Sequence, residues 1–187
     1  AVYDLRNSAK YIIASPCEIM GKGFPYHRTL PHLFGESYNL RSAAESYYLF
    51  YLDEYNGSAR CGSVALYDCA EVEALAEATK LVMQSANLDI DTSKLQTYEG
   101  QAVHHFYDFG EWVRSVATDS EALKAFDEQL NRTVIAKFTL PTFYSAYGSY
   151  GTYDINEEVY SGVTTSAPPK AYPVEWRESN WYKATMP

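Results

Sequence analysis

Cys17 and Glu18 stand side by side just after a short apolar run, Tyr11 to Ala14, that is cut off by Ser15-Pro16. A thiol at a strand end is a candidate nucleophile when a helix N-terminus or a histidine lowers its pKa. Glu18 does the reverse, because a neighbouring negative charge raises a thiol's pKa. Cys17 therefore reads as a bystander, and Cys61 and Cys69 read as small buried hydrophobes. His27 and His32 are close in sequence but have no carboxylate at metal-ligand spacing. His104-His105 precede Phe106-Tyr107, a context of packing rather than ligation. The Gly21-Lys22-Gly23 turn lacks the length and the Lys-Ser/Thr of a phosphate loop, but it lets backbone approach a ligand closely. Asp154, Asn156, Glu157 and Glu158 offer oxygens for calcium, yet their spacing does not follow the helix-loop-helix pattern. They read as a solvated acidic loop, so calcium is not supported and no cofactor is expected. No complete catalytic site is visible.

These residues need elements to position them. "AVYDLRNSAK" has Val2, Leu5 and Ala9 at helical spacing with no N-cap, as in the second half of a helix. Tyr11–Ser15 reads as a strand ended by Pro16, which cannot donate to a ladder. "HRTLPHLFG" predicts a short helix closed by Gly35, and "YNLRSAAESYYLFYLDEY" a longer one stopped by Asn56-Gly57. "CGSVALYD" predicts a second strand. Asp68 then caps "CAEVEALAEATKLVMQSA", whose Val72, Leu75, Ala76, Ala78, Thr79 and Val82 follow a 3.6-residue period.

Helices alternating with strands predict an α/β fold with a mostly parallel sheet flanked by helices. The second half differs. Glu111–Val116 is helical in pattern, Ser120 caps "EALKAFDEQLNRTVIA", and "KFTLPTF" reads as a strand. "YSAYGSYGTYD" is a Tyr/Gly loop, and "EEVYSGVTTSAP" reads as extended. Two Trp in "PVEWRESNWYKATMP" are placed to pin the tail to the body. The division predicted is a first region 1–68 and an α-rich C-terminal domain 69–187 with short strands.

The chain has 187 residues, 47% hydrophobic and 21% charged, enough for a sizeable core. Its net charge of -9 disfavours phosphate backbones and anionic membranes, so nucleic acid is not an expected partner. No apolar run reaches the length of a membrane span, and no signal peptide is seen. Three cysteines at irregular spacing make neither a disulfide framework nor a zinc pattern. The 18 tyrosines read as half-buried surfaces with a polar handle, or as a sugar- or peptide-binding face.

"YDLRNSAKYIIASPCEIMGKGFPY" resembles the segment that follows the catalytic cysteine in clostripain-type cysteine peptidases. The matching positions are Tyr3, Asp4, Leu5, Arg6, Ala14, Ser15, Glu18, Gly21, Gly23, Phe24 and Tyr26. "HFYDFGEWV" is similar to the family's Tyr-Asp-aliphatic-x-aromatic segment. "VYSGVTTSAP" and the terminal "NWYKA" resemble its Ser-Gly-x-Ser/Thr stretch and its Trp-Tyr-Lys ending.

The resemblance implies a caspase-like fold in which residues 1–68 are the C-terminal half of the peptidase core. It implies that Ser15 lies beside the strand delivering the catalytic Cys, and that Ser15–Tyr26 walls the substrate pocket. The implied substrate-binding residues are Ser15, Glu18, Gly21, Lys22, Gly23, Phe24 and Tyr26. The family's His and Cys both fall upstream of the point matching Ala1. The implied partners are therefore the upstream segment or chain carrying that dyad, and a polypeptide substrate. Relatives are mostly exported, which implies an extracytoplasmic or secreted location. Lys22 departs from the pattern. Many relatives that cut after Arg or Lys carry an acid inside the Gly-x-Gly turn, so the departure puts a basic preference in doubt. Two other classes fit the same residues: a pseudo-peptidase that binds peptide without chemistry, and an extracellular carbohydrate-binding module.

Overall fold

The computed structural model describes residues 2–34, 36–166 and 173–187, without the side chains of 173 and 174. In chain order the elements are α1 Val2–Leu5, β1 Tyr11–Ala14, α2 Tyr26–Leu33, α3 Leu40–Glu54, β2 Ser63–Asp68 and α4 Val72–Met83. They continue as β3 Phe106–Asp108, α5 Phe109–Val116, α6 Ser120–Thr133, β4 Val134–Thr139, β5 Thr142–Ser145 and β6 Gly151–Asp154. β7 Thr164–Ser166, α7 Pro173–Glu178 and α8 Asn180–Thr185 complete the series.

The central sheet has the order β1-β2-β4. β2, "SVALYD", is buried along almost its whole length, as expected of a strand with cover on both faces. Val64 and Leu66 pack with Ala44, Tyr47, Phe50 and Tyr51 of α3 and with Ala136 of β4. The opposite side holds Ala65 and Tyr67, whose phenol donates to the Gly162 carbonyl at 2.5 Å. A second core joins α4, α5 and α6 through Leu75, Val82, Phe109, Trp112, Val113, Phe126 and Leu130.

All strand pairs among the described residues are antiparallel, not parallel as the element order predicted. Tyr11 pairs with Asp68 and Ala14 with Ala65, while Ser63 pairs with Thr139 and Leu66 with Ala136. The reason lies in the β1–β2 connection. A single crossover helix carries the chain to the far end of a sheet and yields a parallel pair. Here α2 and α3 form a pair, joined by Asn39 N–H donating to the His32 carbonyl at 2.8 Å. Thr29 meets Ser46, and Arg28 meets Asp53 and Glu54. An outgoing and a returning helix leave the chain at the end where β1 stopped, so β2 runs back along it. β4 lies beyond residue 69, in the stretch read as a separate domain, and it is the third strand of this same sheet.

Local signals were read with small displacements. Asp68 accepts from Ala70 N–H and caps a 3-10 turn, Cys69–Glu71, that leads into α4. Asp119, not Ser120, caps α6, accepting from Glu121 and Ala122 N–H at 2.8 and 3.1 Å. "KFTLPTF" is two strands, because Pro141 has no N–H and breaks the run between β4 and β5. The Tyr/Gly loop is a hairpin, with Thr142 paired to Asp154 and Ser145 to Gly151. Trp181 does pin the tail: its ring lies 5.4 Å from Tyr3 and 5.4 Å from Phe109. Gly35, read as a helix stop, lies outside the described residues, as do Ala1 and the end of the extended stretch at 167 and 168.

Candidate functional site

A cleft of about 850 Å³ opens where β1 ends. Ala14, Ser15 and Pro16 form one side, His105, Phe106 and Phe109 a second, and Val163 to Ser166 a third. Tyr147, Gln101, Tyr3, Trp176 and Trp181 close the rest. Three stretches far apart in sequence thus meet at one cavity. β3 and β7 pair antiparallel, with Asp108 opposite Thr164, which brings the second and third sides together. The Thr164 hydroxyl donates to the Pro16 carbonyl and ties the third side to the first.

The segment 161–163 is braced from behind by Asp108, which is fully buried. One oxygen of Asp108 accepts from Ser161 N–H at 2.7 Å, Ser161 Oγ at 2.9 Å and Tyr98 Oη at 2.8 Å. The other accepts from Glu111 N–H at 3.0 Å and caps α5. Burial pushes the Tyr98 and Tyr67 phenols well above their usual range, and the Asp108 charge adds to this. Both stay protonated donors. Burial likewise lowers the pKa of Lys137, whose Nζ donates to the Tyr160 carbonyl.

The predicted loop divides at the cleft. Ser15 lines it, and its Oγ lies 3.4 Å from Ser63 Oγ. The Cys17 thiol turns onto Ser63 Oγ at 2.8 Å and packs on the Tyr98, Phe143, Ile155 and Tyr160 cluster. Burial pushes its pKa up, with the Glu18 charge adding to the rise. Burial also pushes the Cys61 thiol up to about 11. The hydrogen bonds of the Cys17 thiol among the described residues are to Ser15 and Ser63, and neither is a base.

Glu18 is exposed and accepts from Ala146 and Tyr147 N–H at 2.5 and 3.3 Å. Gly21 and Lys22 are exposed at the tip of the turn. Gly23 closes that turn through its N–H to the Met20 carbonyl at 2.7 Å, with φ of 70°, a left-handed value that favours glycine. Its carbonyl accepts from Tyr51 Oη at 2.9 Å. Phe24 packs on Tyr47 with ring centroids 4.5 Å apart and planes tilted by 38°, and Tyr26 opens α2 with its side chain exposed. None of Gly21, Lys22, Gly23, Phe24 and Tyr26 lines this cleft.

Tyr147, Gln101, Phe106 and Trp176 line the cleft and were not singled out from sequence. A tyrosine-rich hairpin tip beside glycine was the available signal for Tyr147. His104 Nδ1 lies 3.3 Å from Glu99 Oε1, and the His27 ring meets Phe50 at 5.8 Å. Asn156 uses its side-chain oxygen to accept from Glu158 N–H. Among the described residues no three His, Cys, Asp or Glu stand close enough to hold a metal ion. Among the described residues no helix is long and apolar enough to cross a membrane.

The sequence profile described as the clostripain family matches residues 1–166. The chain belongs to the clostripain family. A search of curated proteins finds no match. Among solved structures, a clostripain from Bacteroides thetaiotaomicron in complex with the peptide inhibitor BTN-VLTK-AOMK is 33% identical. The match covers 99% of this chain and 80% of that one, with a TM-score of 0.87. A structure described as a secreted C11 cysteine protease from the same organism, iotapain, is also 33% identical at a TM-score of 0.87, covering 99% of this chain and 51% of its own. An inactive zymogen C11 protease from Parabacteroides distasonis is 28% identical at 0.85, covering 100% of this chain and 54% of its own. The chain thus spans about half the length of the latter two. As a clostripain-family chain it has the mixed α/β fold of the cysteine proteases it matches, with small antiparallel sheets in the described part.

Proposed function

We propose that this chain is the C-terminal portion of a clostripain-like cysteine endopeptidase. It contributes sheet and substrate-cleft wall, while the His base and Cys nucleophile come from polypeptide upstream of Ala1. The supporting observation is the cleft at the end of β1, walled by the three stretches that resemble the family. An extended polypeptide is the substrate class proposed, because the chain belongs to a family of cysteine proteases and one matched structure holds a peptide inhibitor. Secretion is proposed from the relative described as secreted.

The surroundings of the three cysteines speak against a part for them in the chemistry. Attack on a carbonyl needs a thiolate with a base at hydrogen-bond distance, and burial raises the pKa of all three. The test is the complete enzyme, this chain together with its upstream segment, carrying Cys17→Ser, Cys61→Ser and Cys69→Ser at once. Peptide hydrolysis blocked by a thiol-alkylating reagent is expected to persist within about threefold of the parent. The isolated chain is expected to show none. Loss of hydrolysis in the triple variant while the fold is retained, or alkylation-sensitive turnover by the chain alone, overturns the proposal.

A further inference from the structure

The loop 99–105 springs from an antiparallel ladder. Thr97 pairs with Tyr107, Tyr98 N–H donates to the Phe106 carbonyl at 3.0 Å, and Asp108 N–H donates to the Gln96 carbonyl at 2.8 Å. The first residue of the loop closes it with a side chain. Glu99 is 2% exposed, and its Oε1 accepts from His105 N–H at 2.6 Å and Phe106 N–H at 3.4 Å. His105 and Phe106 form one side of the cleft, whereas neither Glu99 nor His104 lines it. Two atoms of this closure are unsatisfied. Glu99 Oε2 and His104 Nδ1 are both buried, and neither has a hydrogen-bond partner. They stand on neighbouring side chains, with His104 Nδ1 at 3.3 Å from Glu99 Oε1. Among the described residues His104 is the one cation-forming side chain within 4 Å of Glu99. A buried carboxylate is costly unless a positive charge faces it. An imidazolium brings that charge and carries a hydrogen on Nδ1, while a neutral imidazole brings no charge. His104 also lines a second cavity, of about 550 Å³, together with Lys94, Glu111, Tyr153 and Asp154. Glu111 and Asp154 favour a positive imidazole there, and Lys94 opposes it. Tyr107 meets the His104 ring edge-on with centroids 6.4 Å apart, and His105 is its chain neighbour.

We infer that Glu99 and His104 are positioning residues of the cleft: as a carboxylate–imidazolium pair they close the 99–105 loop and fix the His105–Phe106 wall without touching substrate themselves. The pair is sensitive to pH. Lowering the pH charges the imidazole and completes the pair. Raising the pH removes that charge, leaves the buried carboxylate to two backbone N–H groups, and loosens the wall. Histidine ordinarily changes charge between about pH 5 and 8, so the wall is firmest on the acid side of that interval.

The inference rests on the peptidase reading for the use of the cleft, and its test separates the two. Hydrogen exchange of the complete enzyme is followed amide by amide at about pH 6 and about pH 8.5, on either side of histidine's range, and corrected for the intrinsic rate at each. Protection of the His105 and Phe106 amides is expected to be about tenfold lower at the higher pH, with the Tyr98 and Asp108 amides of the ladder as the unchanged reference. Glu99→Gln keeps an acceptor oxygen and His104→Gln keeps an N–H donor, each without the charge. In both variants the protection of the two amides is expected to be the same at either pH. Hydrolysis of fluorescently labelled casein gives the second reading. Across the same interval KM of the parent is expected to rise about fivefold more than KM of His104→Gln, with kcat following one pH curve in both. Equal protection at the two pH values in the parent overturns the inference, as does the same fall in all three proteins or a KM that rises equally in parent and His104→Gln. The parent alone decides the first of these, so a variant that fails to fold leaves the inference open to refutation. If the complete protein hydrolyses nothing, the peptidase reading fails, and the exchange measurements decide on their own whether the pair holds the wall.

Discussion

Two carboxylates brace the cleft by the same chemistry at opposite depths. Asp108 and Glu18 each accept backbone N–H groups from a segment remote in sequence, 161 in one case and 146–147 in the other. Asp108 is 0% exposed and gathers four donors. Glu18 is exposed and gathers two. Donors left behind by Asp108 would have no water to turn to, and each buried unsatisfied group costs about 1–3 kcal/mol. Donors left by Glu18 would be solvated at once. One carboxylate thus ties buried segments together, and the other ties an exposed hairpin tip to the end of β1.

The strongest challenge to this contrast is Asp108→Ala. Removing the buried acceptor should cost about 3–5 kcal/mol, read from urea unfolding of the complete enzyme. A loss below about 1 kcal/mol would erase the difference in depth. Gly162→Ala should have a smaller effect, about 1–3 kcal/mol. At φ of 80° an added Cβ is strained, and it would stand 3.0 Å from Ala65 Cβ and 3.2 Å from Lys137 Cβ. That variant separates the shape of the 161–163 segment from its hydrogen bonds to Asp108, and stability equal to the parent's would show that the segment adapts. The smallest effect is expected from Glu18→Ala, whose unfolding free energy should stay within about 1 kcal/mol of the parent. A larger drop would put the Glu18 contact with the hairpin tip on a level with that of Asp108.

Much of this organisation could be read from residue order alone. β1 and β2 follow from apolar runs bounded by Pro16 and Asp68, and α4 from its 3.6-residue period. Strand direction did not follow, because periodicity records which face is buried and not which way the chain runs. The α2–α3 pair decided it, and their pairing depends on contacts such as Thr29 with Ser46 that have no sequence signature. The Tyr/Gly stretch hid a hairpin because glycine and tyrosine serve loops and strand tips alike. In the site, the stretch Ser15–Tyr26 reads as one motif but splits in space. Ser15 and Pro16 line the cleft, Cys17 turns onto Ser63, and Glu18 holds the tip of the β5–β6 hairpin. From Ile19 onward the stretch turns onto α3, where Phe24 meets Tyr47 and the Gly23 carbonyl meets Tyr51. Tyr147 was missed because its place at the cleft rests on backbone contacts with partners such as Glu18, 129 residues away.

The contact between the first and last helices has a consequence in time. Tyr3 of α1 packs edge-on against Trp181 of α8, and Asn180 Nδ2 donates to Asp4 Oδ1 at 2.7 Å. α1 and Trp181 both line the cleft. A ribosome adding roughly 5–20 residues per second needs roughly 10–40 s to pass from one to the other. Throughout that interval the nascent chain carries its early cleft residues without the wall that completes them. Assembly of the cleft therefore waits until Trp181 has been made, whatever the order in which the helices and sheet behind it fold.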